Sequence, residues 1–126
     1  MSTTWTTDEL TRIQGADELQ IAARGDDGAL RDPVTIWVVR DGDDLFVRSF
    51  RGSGGRWFRA ASASHAGHVQ AGGVDKDVTF SEENDRGVNE RVDAAYRAKY
   101  GRYDAAYVDP MVGPEARATT LRLVPN

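Results

Sequence analysis

Residues 34–50 read VTIWVVRDGDDLFVRSF and carry the strongest structural signal in the chain. Branched and aromatic residues favour extended backbone over residues 34–40 and again over residues 45–50. Between them, Asp41-Gly42-Asp43-Asp44 has the composition of a tight turn. We therefore predict a β-hairpin made of these two strands.

Four further segments have strand patterns. Residues 19–23 alternate apolar and polar side chains, as a half-buried strand does. Residues 68–71 and 77–80 form two short candidate strands joined by a glycine-rich turn. Residues 119–124 alternate again near the end of the sequence. With the hairpin, the sequence predicts six strands.

Helices are predicted at both flanks of these strands and once between them. Thr6 and Glu9 have the spacing of a capping box, which predicts a helix over residues 7–14. Residues 57–64 contain good helix formers, and residues 88–101 carry an apolar stripe at helical spacing with a glycine at its end. The pattern predicts one α+β domain, residues 1–126, with a small six-stranded antiparallel barrel and flanking helices.

Composition limits the function classes. A net charge of -4 argues against nonspecific nucleic-acid binding, so no nucleic-acid partner is predicted. The longest strongly apolar run, residues 36–39, is too short to span a bilayer, so no membrane partner is predicted either. There is no cysteine, and residues 1–10 lack the features of an export signal, so we expect a cytoplasmic protein.

Residues 45–74 concentrate positive charge in this acidic chain. The segment has no aspartate or glutamate but four arginines and two histidines: Arg48, Arg51, Arg56, Arg59, His65 and His68. Several of the arginines flank Gly52-Ser53-Gly54-Gly55, where backbone N–H groups can approach a ligand. Guanidinium groups beside a glycine-rich turn suit a phosphate or carboxylate. The alternative is a solvated or salt-bridged barrel face, because charge runs are usually solvated.

Strand alternation separates these arginines. Arg48 is expected on the face of Phe46 and Phe50, whereas Ser49 and Arg51 share the opposite face. Arg48 and Arg51 therefore do not easily serve one site unless the strand bends.

Other motifs are weaker. The glycine segment has Trp57 where a dinucleotide-binding fingerprint needs its third glycine, and no lysine follows the glycines as in a Walker loop. His65 and His68 have no third ligand clustered with them, so no metal site is predicted. The acidic pairs fall in turns or at a helix start, and no catalytic residue is identified.

Residues 35–49, followed by Arg51-Gly52 and Trp57, resemble the hairpin and loop of FMN-binding split-barrel proteins, especially the deazaflavin-dependent nitroreductase branch. Over nearly its full length the chain looks like a small bacterial domain-of-unknown-function family of that superfamily. The resemblance implies a split barrel, a homodimer, and FMN or deazaflavin as cofactor. It implies that the cofactor is held by Ser49, Arg51, Gly52, Ser53, Arg56 and Trp57.

Two functions follow as hypotheses. The first is a flavin- or deazaflavin-dependent oxidoreductase that transfers hydride to a small organic substrate, with the arginines holding an anionic group. The second is a noncatalytic module that binds an anionic metabolite or haem, or acts through its dimer. The second is motivated by two departures from the relatives' loop: Phe50 displaces the basic residue after the serine, and a loop proline is missing.

Overall fold

The computed structural model describes residues 4–126; residues 1–3, which the predicted domain includes, lie outside the described residues. The strands are β1 (Leu19–Ala23), β2 (Val34–Ile36), β3 (Val39–Asp41), β4 (Asp44–Val47), β5 (Ala66–Ala71), β6 (Val74–Glu82) and β7 (Leu121–Pro125). The helices are α1 (Thr7–Gly15), α2 (Arg56–Ser64), α3 (Arg86–Tyr100), α4 (Ala105–Met111) and α5 (Pro114–Arg117), with a 3₁₀ turn at Gly52–Gly54.

The seven strands form one antiparallel sheet in the order β2-β1-β5-β6-β7-β4-β3. The sheet curls into a half-barrel with the helices packed against it, which confirms the predicted α+β split-barrel architecture. The two edge strands, β2 and β3, are consecutive in the chain, so only Trp37 and Val38 connect the two edges of the sheet. The gap in the barrel therefore lies at these two residues.

The single strand predicted over residues 34–40 is thus divided, and the sheet has seven strands instead of six. β2 pairs with β1, whereas β3 pairs with β4. At the break, side chains from the end of α3 take the hydrogen bonds that a neighbouring strand would make. The Val38 N–H donates to the Tyr100 hydroxyl (3.1 Å), and the Lys99 ammonium donates to the Val38 carbonyl (2.8 Å).

The predicted hairpin is present as β3 and β4. Its register pairs Val39 with Phe46 and Asp41 with Asp44, and the turn contains Gly42 at φ 61°, a conformation that favours glycine. β4 is shorter than predicted, because the chain leaves the sheet after Val47 and turns toward α2.

Two apolar cores lie on opposite faces of the sheet. The main core fills the barrel and includes Leu45 and Val47, while the second core lies under α3 and α4 and includes Phe46. This alternation confirms that residues 46 and 48 face away from residues 45 and 47.

The N-terminal helix forms as its caps predict. The Glu9 N–H donates to the Thr6 hydroxyl (3.1 Å), and the Glu9 carboxylate accepts from the Thr6 N–H (2.9 Å). Trp5 and Leu10, which flank this cap, are both buried in the main core. The capping box therefore directs α1 onto the barrel.

The sequence analysis missed α4 and α5. Both are short, and Pro110, Gly113 and Pro114 lie in or between them, so apolar periodicity has too little length to emerge. The signals present were their caps: Asp104 accepts from the Ala106 N–H (2.8 Å), and Pro114 begins α5. Across residues 4–126, no helix has the length and apolar character needed to cross a bilayer.

Candidate functional site

A cavity of about 480 Å³ lies beside the edge strand β2, next to the gap in the barrel. This volume is within the usual range for small-molecule sites. Its walls come from β2 and the following link, the turn after β4, the start of α2, and α4. They are formed by Val34, Thr35, Ile36, Trp37, Arg48, Ser49, Phe50, Arg51, Gly55, Arg56, Trp57, Tyr107 and Met111. These residues include no carboxylate, and two of their arginines, Arg51 and Arg56, form no ion pair with another described residue, so the cavity favours an anionic ligand.

The start of α2 opens onto this cavity. Its N-cap is Gly55, and no side chain caps the first turn. Free N–H groups at a helix start, together with the helix dipole, attract anions. A Cβ at Gly55 would lie 2.6 Å from the Ser49 hydroxyl oxygen, so only glycine allows this close approach. The absence of a side chain at Gly55 therefore lets the Ser49 hydroxyl lie against the start of the helix.

Ser49 is buried, and its backbone N–H donates to the Thr119 hydroxyl (2.8 Å). Its own hydroxyl, which lines the cavity, has no hydrogen-bond partner within residues 4–126. The backbone around Ser49 is therefore fixed by Thr119, just before β7, while the hydroxyl is available to a ligand.

Arg51 and Arg56 line the cavity and are exposed. Neither makes an ion pair or a side-chain hydrogen bond with any other described residue, and the same is true of Arg59, which lies on α2 but outside the cavity wall. Unpaired guanidinium groups at a cavity are available to a phosphate or carboxylate. Arg59 carries the same charged group outside the cavity wall, so a substitution there is a matched control for substitutions of Arg51 and Arg56.

Of the six residues predicted to hold a cofactor, the structure brings Ser49, Arg51, Arg56 and Trp57 together on the cavity wall. Gly52 and Ser53 are not part of that wall. Gly52 is buried with φ 66°, and a Cβ there would contact Glu115 of α5 at 3.4 Å, while Ser53 is exposed.

Arg48, whose side chain the alternation placed on the other face, is a buried structural cation. Its guanidinium group is 0% exposed and forms an ion pair with Asp93 at 2.5 Å. It also donates to the Thr120 hydroxyl (2.9 Å), the Met111 carbonyl (2.9 Å) and the Asn89 side-chain oxygen (3.0 Å). For Arg48 the salt-bridged form of the alternative therefore holds, because its charge is paired with Asp93 inside the protein.

The rest of the cavity wall is apolar and aromatic. Trp37 stacks on Tyr100 with ring centroids 4.0 Å apart and planes 3° from parallel. Tyr107 and Met111 come from α4, and sequence patterns did not place them because that helix was not predicted. Phe50 and Tyr107 are exposed at 52% and 60%, so the rim of the cavity presents large apolar groups to solvent.

The two histidines lie outside the cavity wall. His65 ends α2 in a left-handed conformation (φ 57°), at the predicted helix-to-strand junction, whereas His68 lies within β5. The His68 ring contacts the carboxylates of Asp77 (2.8 Å) and Asp75, and these contacts, Asp77 first, raise the pKa of His68. This arrangement uses both ring nitrogens in hydrogen bonds on the barrel surface.

Lys99, at the gap in the barrel, is a second perturbed group. Burial lowers the pKa of its ammonium group to about 8, although the nearby Asp17 carboxylate favours the charged form. The ammonium group donates hydrogen bonds to the Val38 carbonyl (2.8 Å) and to the Ile13 carbonyl (3.5 Å). Lys99, on α3, therefore links α1 and the Trp37–Val38 segment through these two hydrogen bonds.

The curled antiparallel sheet, its gap between consecutive edge strands, and the flanking helices define a split β-barrel. Residues 9–123 match the family described as "Uncharacterized protein conserved in bacteria (DUF2255)", and the chain belongs to this family. No curated protein matches the chain.

Solved structures with similar folds include three whose names state a bound group or an activity. The haem storage protein HutZ from Vibrio cholerae has a TM-score of 0.68 and 16% identity, covering 100% of this chain and 92% of HutZ. An FAD-binding protein from Mesorhizobium loti has a TM-score of 0.61 and 18% identity, covering 98% and 91%. An F420 reductase has a TM-score of 0.56 and 13% identity, covering 92% and 90%. At these identities the likeness establishes the fold.

Proposed function

We propose that this protein is a flavin- or deazaflavin-binding oxidoreductase that transfers hydride to a small organic substrate. The observation that carries the proposal is the uncapped start of α2, which opens onto a carboxylate-free cavity beside two unpaired arginines. Similar folds whose names state FAD or F420 support the choice of ligand class. The proposal treats residues 1–126 as one domain that acts in the cytoplasm.

In this proposal the anionic end of the cofactor lies at the start of α2. Arg51 and Arg56 neutralise its charge, the Ser49 hydroxyl and the first N–H groups of α2 donate hydrogen bonds, and Trp57 walls the pocket. Gly52 and Ser53, which lie outside the cavity wall, shape the turn that precedes the helix. The cofactor, when bound, supplies the hydride chemistry.

The cavity wall contains no aspartate, glutamate, histidine or lysine, so it has none of the commonest proton-transfer groups. In this proposal the hydride comes from the cofactor, and water supplies the proton that completes the reduction; the same wall composition equally fits a noncatalytic module. The chain's own contribution is then to bind the anion, hold the ring and exclude water.

A second copy of the chain is part of the proposal. Val34, Phe50 and Tyr107 are exposed large apolar residues, and all three belong to the cavity wall. A homodimer that covers this rim would remove apolar surface from water and close the cavity at the same time. Sedimentation equilibrium of the wild type and of Tyr107→Lys tests this: a dimer that the substitution weakens supports it, and a wild-type monomer refutes it.

Fluorescence titration with FMN and with F420 tests the cofactor assignment. We expect at least one to bind with a Kd below tens of micromolar, which corresponds to about -6 kcal/mol or better. Arg51→Glu and Arg56→Glu should each weaken binding by at least tenfold, whereas Arg59→Glu, the control of equal charge change, should leave it nearly unchanged. No binding of either compound overturns the cofactor assignment, and equal losses in all three variants overturn the assigned position of the anion.

Haem binding by a noncatalytic module is the second candidate, supported by the fold it shares with HutZ, a haem storage protein. Both histidines of the chain lie outside the cavity wall, so an axial ligand there would have to be Met111 or Tyr107. The visible absorption spectrum of the purified protein distinguishes the two: a Soret band favours haem, and a flavin-like band favours the oxidoreductase.

A further inference from the structure

The indole ring of Trp37 is held rigidly at the cavity wall. Trp37 lies in the gap between the barrel edges, and one face of its ring is covered by the parallel ring of Tyr100 at 4.0 Å. Tyr100 is itself 0% exposed, and its hydroxyl donates to the Asp17 carbonyl (2.8 Å) and accepts from the N–H of Val38 (3.1 Å). Val38, which follows Trp37, and the Tyr100 ring that stacks on the indole are thus joined by a hydrogen bond, and this fixes the position of Trp37.

The opposite face of the indole is not taken by the other nearby aromatic ring. Tyr103 lies 5.5 Å from Trp37 but only 6.2 Å from Tyr100. If Trp37 were sandwiched between the two tyrosines, their centroids would be separated by nearly the sum of the two stacking distances. Tyr103 therefore lies beside the indole, and Tyr100 covers a single face.

We propose that Trp37 is a preformed stacking surface that makes the cavity selective for planar aromatic rings bearing an anionic group, over aliphatic anions of the same charge. This inference rests on the proposed function for the anion end of the cavity, at Arg51 and Arg56. It adds the residue that selects the ring at the end of the cavity away from these arginines. Because the indole is already ordered, a ring that stacks on it does not have to immobilise a flexible side chain.

The selectivity has a physical basis in the wall composition. Trp37 stands with Ile36, Trp57 and Met111 among residues that offer an aliphatic sugar phosphate few hydrogen bonds. A planar ring gains dispersion and desolvation on this surface, and ring stacking on an aromatic side chain contributes on the order of a tenfold gain in affinity or more. An aliphatic anion can use the start of α2 and the hydroxyl groups of the wall but gains no stacking energy on Trp37.

Three phosphate compounds separate the two ends of the cavity: FMN, pyridoxine 5′-phosphate and ribose 5-phosphate. Their affinities are measured by isothermal titration calorimetry against the wild type and the variants Trp37→Leu, Trp37→Phe and Phe80→Leu. Phe80 is a buried aromatic residue of the main core outside the cavity wall, so its variant controls for the loss of an aromatic ring elsewhere.

We expect the wild type to bind one or both ring phosphates at least tenfold more tightly than ribose 5-phosphate. Trp37→Leu should reduce that preference by about tenfold without changing the affinity for ribose 5-phosphate. Trp37→Phe should retain part of the preference, and Phe80→Leu all of it. Circular dichroism and the urea midpoint of each variant show whether it is folded, and the ligand preference of the wild type is a test that needs no variant.

The outcomes separate this inference from the proposed function. If FMN binds equally well to the wild type and to a folded Trp37→Leu variant, the stacking surface is refuted and the cofactor proposal stands. If pyridoxine 5′-phosphate binds in a Trp37-dependent way while FMN and F420 do not bind, the stacking surface stands and the cofactor proposal fails. Equal affinity for all three phosphates refutes the inference, and binding of no ring phosphate refutes both.

Discussion

Arg48→Met is the substitution for which the structure gives the sharpest expectation, because it removes a buried cation and keeps an apolar chain of similar length. The guanidinium group is 0% exposed and pairs with Asp93 at 2.5 Å. Its other donors serve Thr120, Met111 and both oxygens of Asn89, at 2.9 to 3.2 Å. Methionine fills much of the space but satisfies none of these acceptors.

The expected loss of stability comes from the groups left behind. Removing one partner of a buried ion pair costs about 3–5 kcal/mol, because the other charge is left uncompensated. Asp93 is 13% exposed and keeps its second partner, Arg117, at 2.5 Å, so the lower end of that range applies. We expect Arg48→Met to lower the free energy of unfolding by about 3 kcal/mol, a large part of the roughly 5–15 kcal/mol typical of a domain.

Urea unfolding followed by circular dichroism measures this loss. Arg51→Met is the matched control, since it makes the same chemical change at an exposed and unpaired arginine, and we expect it to alter stability by no more than about 0.5 kcal/mol. A loss below about 1 kcal/mol for Arg48→Met, with an unchanged denaturant dependence, would falsify the argument that Arg48 holds the segment after β4 to α3, α4 and Thr120.

Gly55→Ala should destabilise the protein by about 1–3 kcal/mol and weaken anion binding, because its Cβ would approach the Ser49 oxygen to 2.6 Å; urea unfolding and phosphate titration check this, and unchanged values contradict the close packing at this cap. Lys99 has a pKa lowered by burial to about 8, so the unfolded chain binds more protons between about pH 8 and 10.5, and stability should rise with pH in that window until tyrosines ionise. Urea midpoints of Lys99→Met should lack the rise, and a rise equal to that of the wild type would assign it to other groups. The pKa of His68 is raised by hydrogen bonding to Asp77, so its contribution is full below about pH 6.5 and is lost as pH rises through the folded-state pKa. Thermal unfolding of His68→Gln should lack that decline, and an identical pH profile would count against it.

Features that depend on neighbouring residues in the sequence could be predicted. The capping box of Thr6 and Glu9, the turn at Gly42, and the alternation that sends Phe46 to one core and Val47 to the other all form as their local chemistry requires. The glycine turn and the arginines of the proposed anion site are close in sequence as well, which is why four of the six predicted residues meet on one cavity wall.

Features that depend on residues distant in the sequence could not be predicted. The division of residues 34–40 into two strands requires Tyr100 and Lys99, more than sixty residues away, to take the hydrogen bonds of Val38. The burial of Arg48 likewise requires acceptors between positions 89 and 120, none of which is marked by a motif. Neither the strand pattern of residues 34–40 nor the number of arginines indicates which distant residues form these hydrogen bonds.

The gap in the barrel also links the width of the proposed site to a helix that lies outside the cavity wall. Because the two sheet edges meet only through Trp37 and Val38, their separation is set by the last turn of α3 rather than by a ladder of backbone hydrogen bonds. A change near Tyr100 is therefore expected to alter the width of the cavity through Trp37, which stacks on it. In the proposed site, cavity width would then depend on α3, whereas its positive charge depends on the start of α2 and the arginines beside it.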